Sequence, residues 1–375
     1  MWKKAIEEAL HITSSNIGRF GSHFPHVSEN SSSKYVLLDH GWTNGFWPGI
    51  LWLSYEYSGE RIFRDAAAGA VERLRERLKN NVDLDNHDIG FLYSLSSKAQ
   101  WIIEKDAAAR QLTLEAAQVL MKRWREKLGV IQAWGAKDDP HNGGRIIIDC
   151  LMNLPLLHWA SRISGDNAYR EAAASHTELS RRFLVRGDDS SYHTFWFDPK
   201  TGDSFRGGTH QGCRDGSTWT RGQAWGIYGF ALAYRCLQRP EYLETSKRLA
   251  DYFADRLPED GVVYWDFDVP QEPQSMRDSS ASAIAACGML ELCSLLSPHD
   301  PLYEKLLRTA HRSVESLVCR YSTAGDENPE GFLNRGSYSV RAGRSPDDYT
   351  IWGDYFYLEA LMRLEKGIPG YWYER

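Results

Sequence analysis

Asp149 lies inside an otherwise apolar run, Ile146-Ile147-Ile148-Asp149-Cys150-Leu151-Met152. A carboxylate in such a stretch is costly to bury without compensation. Desolvation also raises its pKa, toward the range a proton donor needs near neutral pH. The bland alternative is a structural Asp that caps a helix or pairs with an arginine such as Arg145. A second acid occupies a matching place, Asp88 in His87-Asp88-Ile89-Gly90-Phe91. Two neighbouring carboxyls separate their pKa values: one stays ionised and keeps the other protonated, which suits acid/base chemistry at one centre. Asp88 alone reads as an N-cap, for which Asp is a preferred residue. Beside Asp149, catalysis is the favoured reading.

These acids need elements to hold them together. Amphipathic helices with one charged face recur along the chain, each after a turn: Tyr57-Ser-Gly-Glu60 leads into Phe63-Arg-Asp-Ala-Ala67, and Ile163-Ser-Gly-Asp166 into Tyr169-Arg-Glu-Ala-Ala173. Between them lie more uniformly apolar stretches, 46–57, 88–104, 146–163, 221–237, 279–296 and 352–366. A helix apolar all round is buried on both sides. Six inner and six outer helices in alternation predict an all-α (α/α)6 toroid or barrel spanning 1–375 as one domain, with an open α-solenoid as the alternative. Short strands are expected at 192–197 with a following hairpin arm, and at 262–269.

In such a toroid the inner helices run the same way, so their N-termini open onto one mouth. Helix N-termini there favour anions. Asp88, Asp149, Arg221 and Gln223 gather at this end, and Trp42, Trp134, Trp219 and Trp225 are candidates for stacking on sugar rings. The long polar segment 185–218 carries His193, His210 and Gln211, and the Gly207-Gly208 pair permits close backbone approach.

Composition narrows the function class. A formal charge of −6 gives no basic footprint for nucleic acid. No segment is long and apolar enough for a membrane, and no signal core precedes the first helix, so a cytoplasmic location is expected. Six cysteines without a C-x-x-C pair read as reduced thiols. His193 and His210 lack metal-ligand spacing and there is no phosphate loop, so neither metal nor cofactor is expected. A monomer or weak homo-oligomer is the expected state.

Taken together, His87-Asp-Ile-Gly-Phe91, Gly143-Gly-Arg-Ile-Ile-Ile-Asp149, Asp189-Ser-Ser-Tyr-His193, Gly207-Gly-Thr-His-Gln211 and Ser217-Thr-Trp-Thr-Arg-Gly-Gln-Ala-Trp225 resemble unsaturated glucuronyl hydrolases, glycoside hydrolase family 88. The resemblance runs on through Ser345-Pro-Asp-Asp-Tyr-Thr-Ile-Trp-Gly-Asp354. It implies an (α/α)6 barrel and, as substrate, a disaccharide or short oligosaccharide left by a polysaccharide lyase. The reaction it implies is hydration of the C4=C5 double bond of a terminal unsaturated glucuronate, with Asp149 as general acid/base and Asp88 assisting. It further implies that His87, His193, Gln211, Ser217, Trp219, Arg221 and Trp225 line the site, with Arg221 or a neighbouring donor near the uronate carboxylate. Trp42 then stacks on the unsaturated ring and Trp134 on the leaving sugar. Arg341 or Arg344 is expected to help admit an anionic or sulfated sugar. The rival readings are an unsaturated rhamnogalacturonyl hydrolase, an inverting glycosidase acting on saturated uronides, and a non-catalytic sugar-binding toroid.

Overall fold

The computed structural model describes residues 1–30 and 32–374. Among the described residues, twelve helical units alternate between two concentric rings. The inner ring comprises α2 (Phe46–Ser58), the pair α4 (Ile89–Ser94) and α5 (Ser97–Glu104), α7 (Leu154–Ser164), α9 (Thr220–Leu237), α11 (Ser279–Cys293) and α13 (Ile351–Lys366). The outer ring comprises α1 (Trp2–Phe20), α3 (Arg61–Lys79), α6 (Ala107–Met121), α8 (Asn167–Phe183), α10 (Pro240–Asp255) and α12 (Tyr303–Ser316). Each inner unit packs on the next, and α13 closes the ring by packing on α2. The (α/α)6 expectation holds, and the open solenoid does not.

The burial follows the sequence pattern. In α9 every residue from Thr220 to Ala233 is buried, and in α11 nearly all are. By contrast α12 buries one stripe, including Leu306, Ala310 and Val314. Apolar burial at roughly 25 cal/mol per Å2 drives the ring together. Hydrogen bonding then ties the loops to the helix ends: the buried Asp354 carboxylate accepts Tyr35 Oη (2.7 Å) and the backbone N–H groups of Phe332 and Leu333.

Three expectations are corrected: the stretch 88–104 is broken at 95–96 into α4 and α5, and two further segments differ. The run 146–163 is not one helix: β5 (Arg145–Ile147) pairs antiparallel with β6 (Thr194–Phe197), which pairs with β7 (Ser204–Gly208). A 3-10 turn, Ile148–Met152, follows before α7. β-Branched isoleucines with a strand beside them favour the pleated form over the helix. The segment 262–269 forms isolated bridges only, Tyr264 to Arg277 and Asp266 to Trp219.

Candidate active site

Asp88 holds the N-cap position of α4 but makes no capping bond. The N–H of Phe91 is satisfied instead by Asn153 Oδ1, 2.7 Å away on the neighbouring unit. That exchange requires close approach: a Cβ on Gly90 would overlap Asn153 Cα. Asn153 also hydrogen-bonds the Asp88 side chain, and its Nδ2 lies 3.4 Å from the Asp149 carbonyl oxygen. One carboxamide therefore touches both acid-bearing segments, and the Asp88 carboxyl is released from helix capping.

Asp149 sits in the 3-10 turn. Its side chain is 18% exposed, yet Oδ1 is buried with no hydrogen-bond partner among the described residues. Arg145 does not pair with it. The Arg145 guanidinium donates to Thr194 Oγ1 (3.0 Å) and Asn142 Oδ1 (3.4 Å) and lies between two indoles. Burial pushes the Asp149 pKa up to about 7, with the charge of Arg221 opposing the rise. Burial, and then the charge of Asp149, push Asp88 well above the usual carboxylate range. At neutral pH the pair therefore carries at most one negative charge and titrates as a unit.

Two imidazoles flank the acids, and both are held neutral. His193 Nδ1 accepts from the backbone N–H groups of His210 (3.1 Å) and Gln211 (3.3 Å). Its proton is therefore on Nε2, which lies 3.9 Å from Asp149 Oδ1. Burial and the Arg145 charge hold the His193 pKa well below normal. His87 Nε2 is 3.5 Å from Asp88 Oδ1, and burial lowers its pKa to about 3. Neither contact is an ion pair. At 3.5 and 3.9 Å they are not hydrogen bonds either, and a neutral imidazole adds no full charge that would drag a carboxyl's pKa down.

Aromatic rings wall the mouth. Trp42, part-exposed, lies 5.1 Å from Trp352 and 5.8 Å from Phe91. Trp134, also part-exposed, meets the rings of His87 at 6.4 Å and His210 at 5.3 Å. Trp219 packs on His193 at 4.4 Å, and Gly222 leaves room for its indole. Gln211 donates from Nε2 to the Tyr338 carbonyl at 2.7 Å.

Three site expectations change. Trp225 is 1% exposed, sandwiched by Phe91 (5.4 Å) and Phe356 (5.3 Å), so it floors the barrel and offers no face for stacking. The Ser217 hydroxyl donates to the buried Asp266 (2.7 Å) and braces its own loop. Arg221 is buried, paired with Asp278, and bonded to the carbonyls of Ser337 and Tyr338. Both its terminal nitrogens are engaged by the protein, so it ties 337–338 to the mouth and acts on Asp149 through its charge. Arg341 is 44% exposed near Asp215 (3.9 Å), and Arg344 lies 5.0 Å over the Tyr338 ring.

The sequence reading passed over Asn153 and Tyr338. Asn153, a polar residue four positions past Asp149 in the same apolar stretch, carried the signal that could have found it. Tyr338 acts through its carbonyl, for which side-chain identity gives no clue.

Comparison with known proteins places this geometry. Residues 17–365 match the model of Glycosyl Hydrolase Family 88. The chain is 63% identical to the unsaturated glucuronyl hydrolase of Bacillus sp. (strain GL1), with 100% of each chain covered. It is 41% identical to the unsaturated chondroitin disaccharide hydrolase of Streptococcus pyogenes serotype M1, covering 98% of this chain and 92% of that one. The crystal structure of the Bacillus sp. GL1 enzyme, described as responsible for the degradation of glycosaminoglycan, superposes with a TM-score of 0.98 over 100% of both chains. A Streptococcus agalactiae unsaturated glucuronyl hydrolase variant complexed with dGlcA-GalNAc6S superposes at 0.86, with 38% identity, covering 99% of this chain and 93% of that one. With its family model matched over nearly the whole chain, this protein belongs to glycosyl hydrolase family 88 and is a hydrolase.

Proposed function

We propose that this protein removes the unsaturated glucuronyl group from the non-reducing end of lyase-generated glycosaminoglycan oligosaccharides. The observation that carries the reading is the pair of carboxyls on adjacent inner units, buried Asp88 and half-buried Asp149, with no arginine or lysine bonded to either among the described residues. Relatives named for unsaturated glucuronyl and chondroitin disaccharide substrates support the same substrate class.

The chemistry follows from the substrate. The ring oxygen makes the C4=C5 alkene a vinyl ether, so C4 is electron-rich. Protonated Asp149 donates its proton to C4, and positive charge develops at C5 and the ring oxygen. Asp149, now ionised, takes a proton from the water that attacks C5. The resulting hemiketal opens and frees the neighbouring sugar. Asp88 holds ring hydroxyls and, through its own raised pKa, helps keep one proton within the pair. His193 and His87 flank the acids without adding charge. Trp42 stacks on the unsaturated ring and Trp134 on the leaving sugar, while Gln211 and Trp219 complete the wall. General acid/base assistance contributes ~10²–10⁴ in rate, and the remainder comes from orienting the alkene and stabilising the cationic transition state. No helix among the described residues is long and apolar enough to cross a membrane, and six free cysteines support a reducing, cytoplasmic setting.

Loss of ultraviolet absorbance from the conjugated alkene tests the reading. A panel of unsaturated chondroitin, gellan and rhamnogalacturonan fragments should give turnover on the glucuronyl-terminated members. Turnover of a saturated uronide, or of the rhamnogalacturonan fragment alone, would overturn it.

A further inference from the structure

Arg145 is only 8% exposed, yet every partner of its guanidinium is neutral: Thr194 Oγ1, Asn142 Oδ1, and the indoles of Trp134 at 4.5 Å and Trp196 at 4.8 Å. Burying a cation without a counter-ion is costly, and stacking offsets it only in part. The same guanidinium lines a cavity of about 420 Å3 between the 140–142 loop and the β6–β7 hairpin. That volume is within the range of small-ligand sites. His141, Asn142, Trp196, Phe205 and Arg206 share the lining. Arg206 covers the Trp196 ring at 4.3 Å and is held by Asp215, while Phe205 is 74% exposed, a large apolar face in water. The one carboxylate in the lining, Asp198, is turned to the backbone N–H groups of Lys200 (2.7 Å) and Thr201 (2.9 Å).

Trp134 stands between Arg145 and the mouth. Its indole stacks on Arg145 while its ring meets His87 and His210 beside the acids. Arg145 therefore lies between Trp134 at the mouth and the cavity it lines. We propose that the cavity is a distal subsite that takes an anionic group, a carboxylate or a sulfate, on a sugar beyond the leaving one. Arg145 supplies a planar fork of donors already desolvated for it, Arg206 a second cation, and Phe205 an apolar face for the ring. The enzyme is then selective for charged oligosaccharides longer than a disaccharide. This inference rests on the proposed function for the direction in which the chain leaves.

The test compares kcat/KM at low salt for unsaturated chondroitin di- and tetrasaccharides, unsulfated and 6-sulfated, with the tetrasaccharide dGlcA-Glc-Rha-Glc, neutral beyond its first ring. The anionic tetrasaccharides should gain about tenfold over their disaccharides, the scale of one charge-assisted hydrogen bond, and the neutral one should not. The unsulfated arm reads the carboxylate and the sulfated arm any additional sulfate. Arg206→Ala and Phe205→Ala should erase most of the gain and leave disaccharide turnover as it was. Arg145→Lys should lower the tetrasaccharide-to-disaccharide ratio, and if that variant fails to fold the two surface variants decide. Equal gain for neutral and anionic tetrasaccharides, or an unchanged ratio in the variants, would overturn the subsite. Calorimetric binding of a saturated chondroitin tetrasaccharide needs no turnover: weaker binding by Arg206→Ala supports the subsite even where the hydration chemistry fails, and equal binding removes it.

Discussion

The barrel buries carboxylates at both ends of its inner helices, and two pairs of them, Glu291 with Glu359 and Asp88 with Asp149, are treated in opposite ways. At the end away from the mouth, Glu291 and Glu359 are 0% exposed and fully served. Arg363 bonds both at 3.0 Å, Arg235 adds a second guanidinium to Glu291, and Tyr373 and Trp372 each donate at 3.0 Å. At the mouth, Asp88 and Asp149 face neutral imidazoles and each other, and Asp149 Oδ1 has no donor among the described residues. Burial is common to both ends, and compensation is what differs. A salt-bridged acid fixes packing; one buried without a counter-charge keeps a proton it can give away.

Substitutions at the two ends should therefore fail differently. The largest effect expected is on turnover: Asp149→Asn should lower kcat by at least about 10³-fold while substrate still binds, measured by alkene absorbance and by calorimetry. A variant that keeps more than a tenth of the activity contradicts the proton-donor assignment. At the other end, Glu359→Ala should leave Arg363 with less counter-charge and cost about 3–5 kcal/mol in denaturant unfolding. Its kcat per folded molecule should hold, and an intact midpoint would show that the network contributes little.

The pH response sharpens the contrast. Catalysis needs the proton on the pair, so kcat should fall as pH rises above about 7, the value to which burial lifts Asp149. Stability runs the same way. The folded pKa lies above the unfolded one, so the folded state holds more protons between the two. Asp149 therefore costs nothing below its unfolded pKa and destabilises progressively as pH rises through about 7. Asp149→Asn should raise the melting temperature at pH 8 relative to the parent, with the gap closing toward pH 4; a gap independent of pH would show that the acid is not strained by burial. The smallest effect concerns specificity at the rim. Replacing both Arg341 and Arg344 by Ala should reduce the preference for sulfated over unsulfated disaccharides several-fold or less, as befits exposed guanidiniums, and an unchanged preference removes them from recognition.

Much of this contrast was legible in the chain. A lone acid in an isoleucine-rich run announces an uncompensated burial, and six apolar segments between six amphipathic ones announce two rings. What was lost depended on partners that are distant in sequence. Ile146 and Ile147 read as helix until β6 lies beside them. Trp225 read as a stacking surface because apolar periodicity does not tell the floor of a barrel from its wall. The resemblance put Arg221 or a neighbouring donor at the uronate carboxylate, and its partner Asp278, in another helical hairpin, was out of view. The Asp88 cap failed for the same reason: its replacement, Asn153, comes from the next inner unit.

That replacement has a mechanical corollary. Because α4 meets the Asn153 backbone at Gly90, main-chain contact sets the gap between the two acid groups, leaving side-chain rotamers little say. A single added methyl, Gly90→Ala, would act as a spacer pushing two otherwise untouched reactive groups apart. The catalytic distance of this enzyme is thus tunable from a position that never meets the sugar.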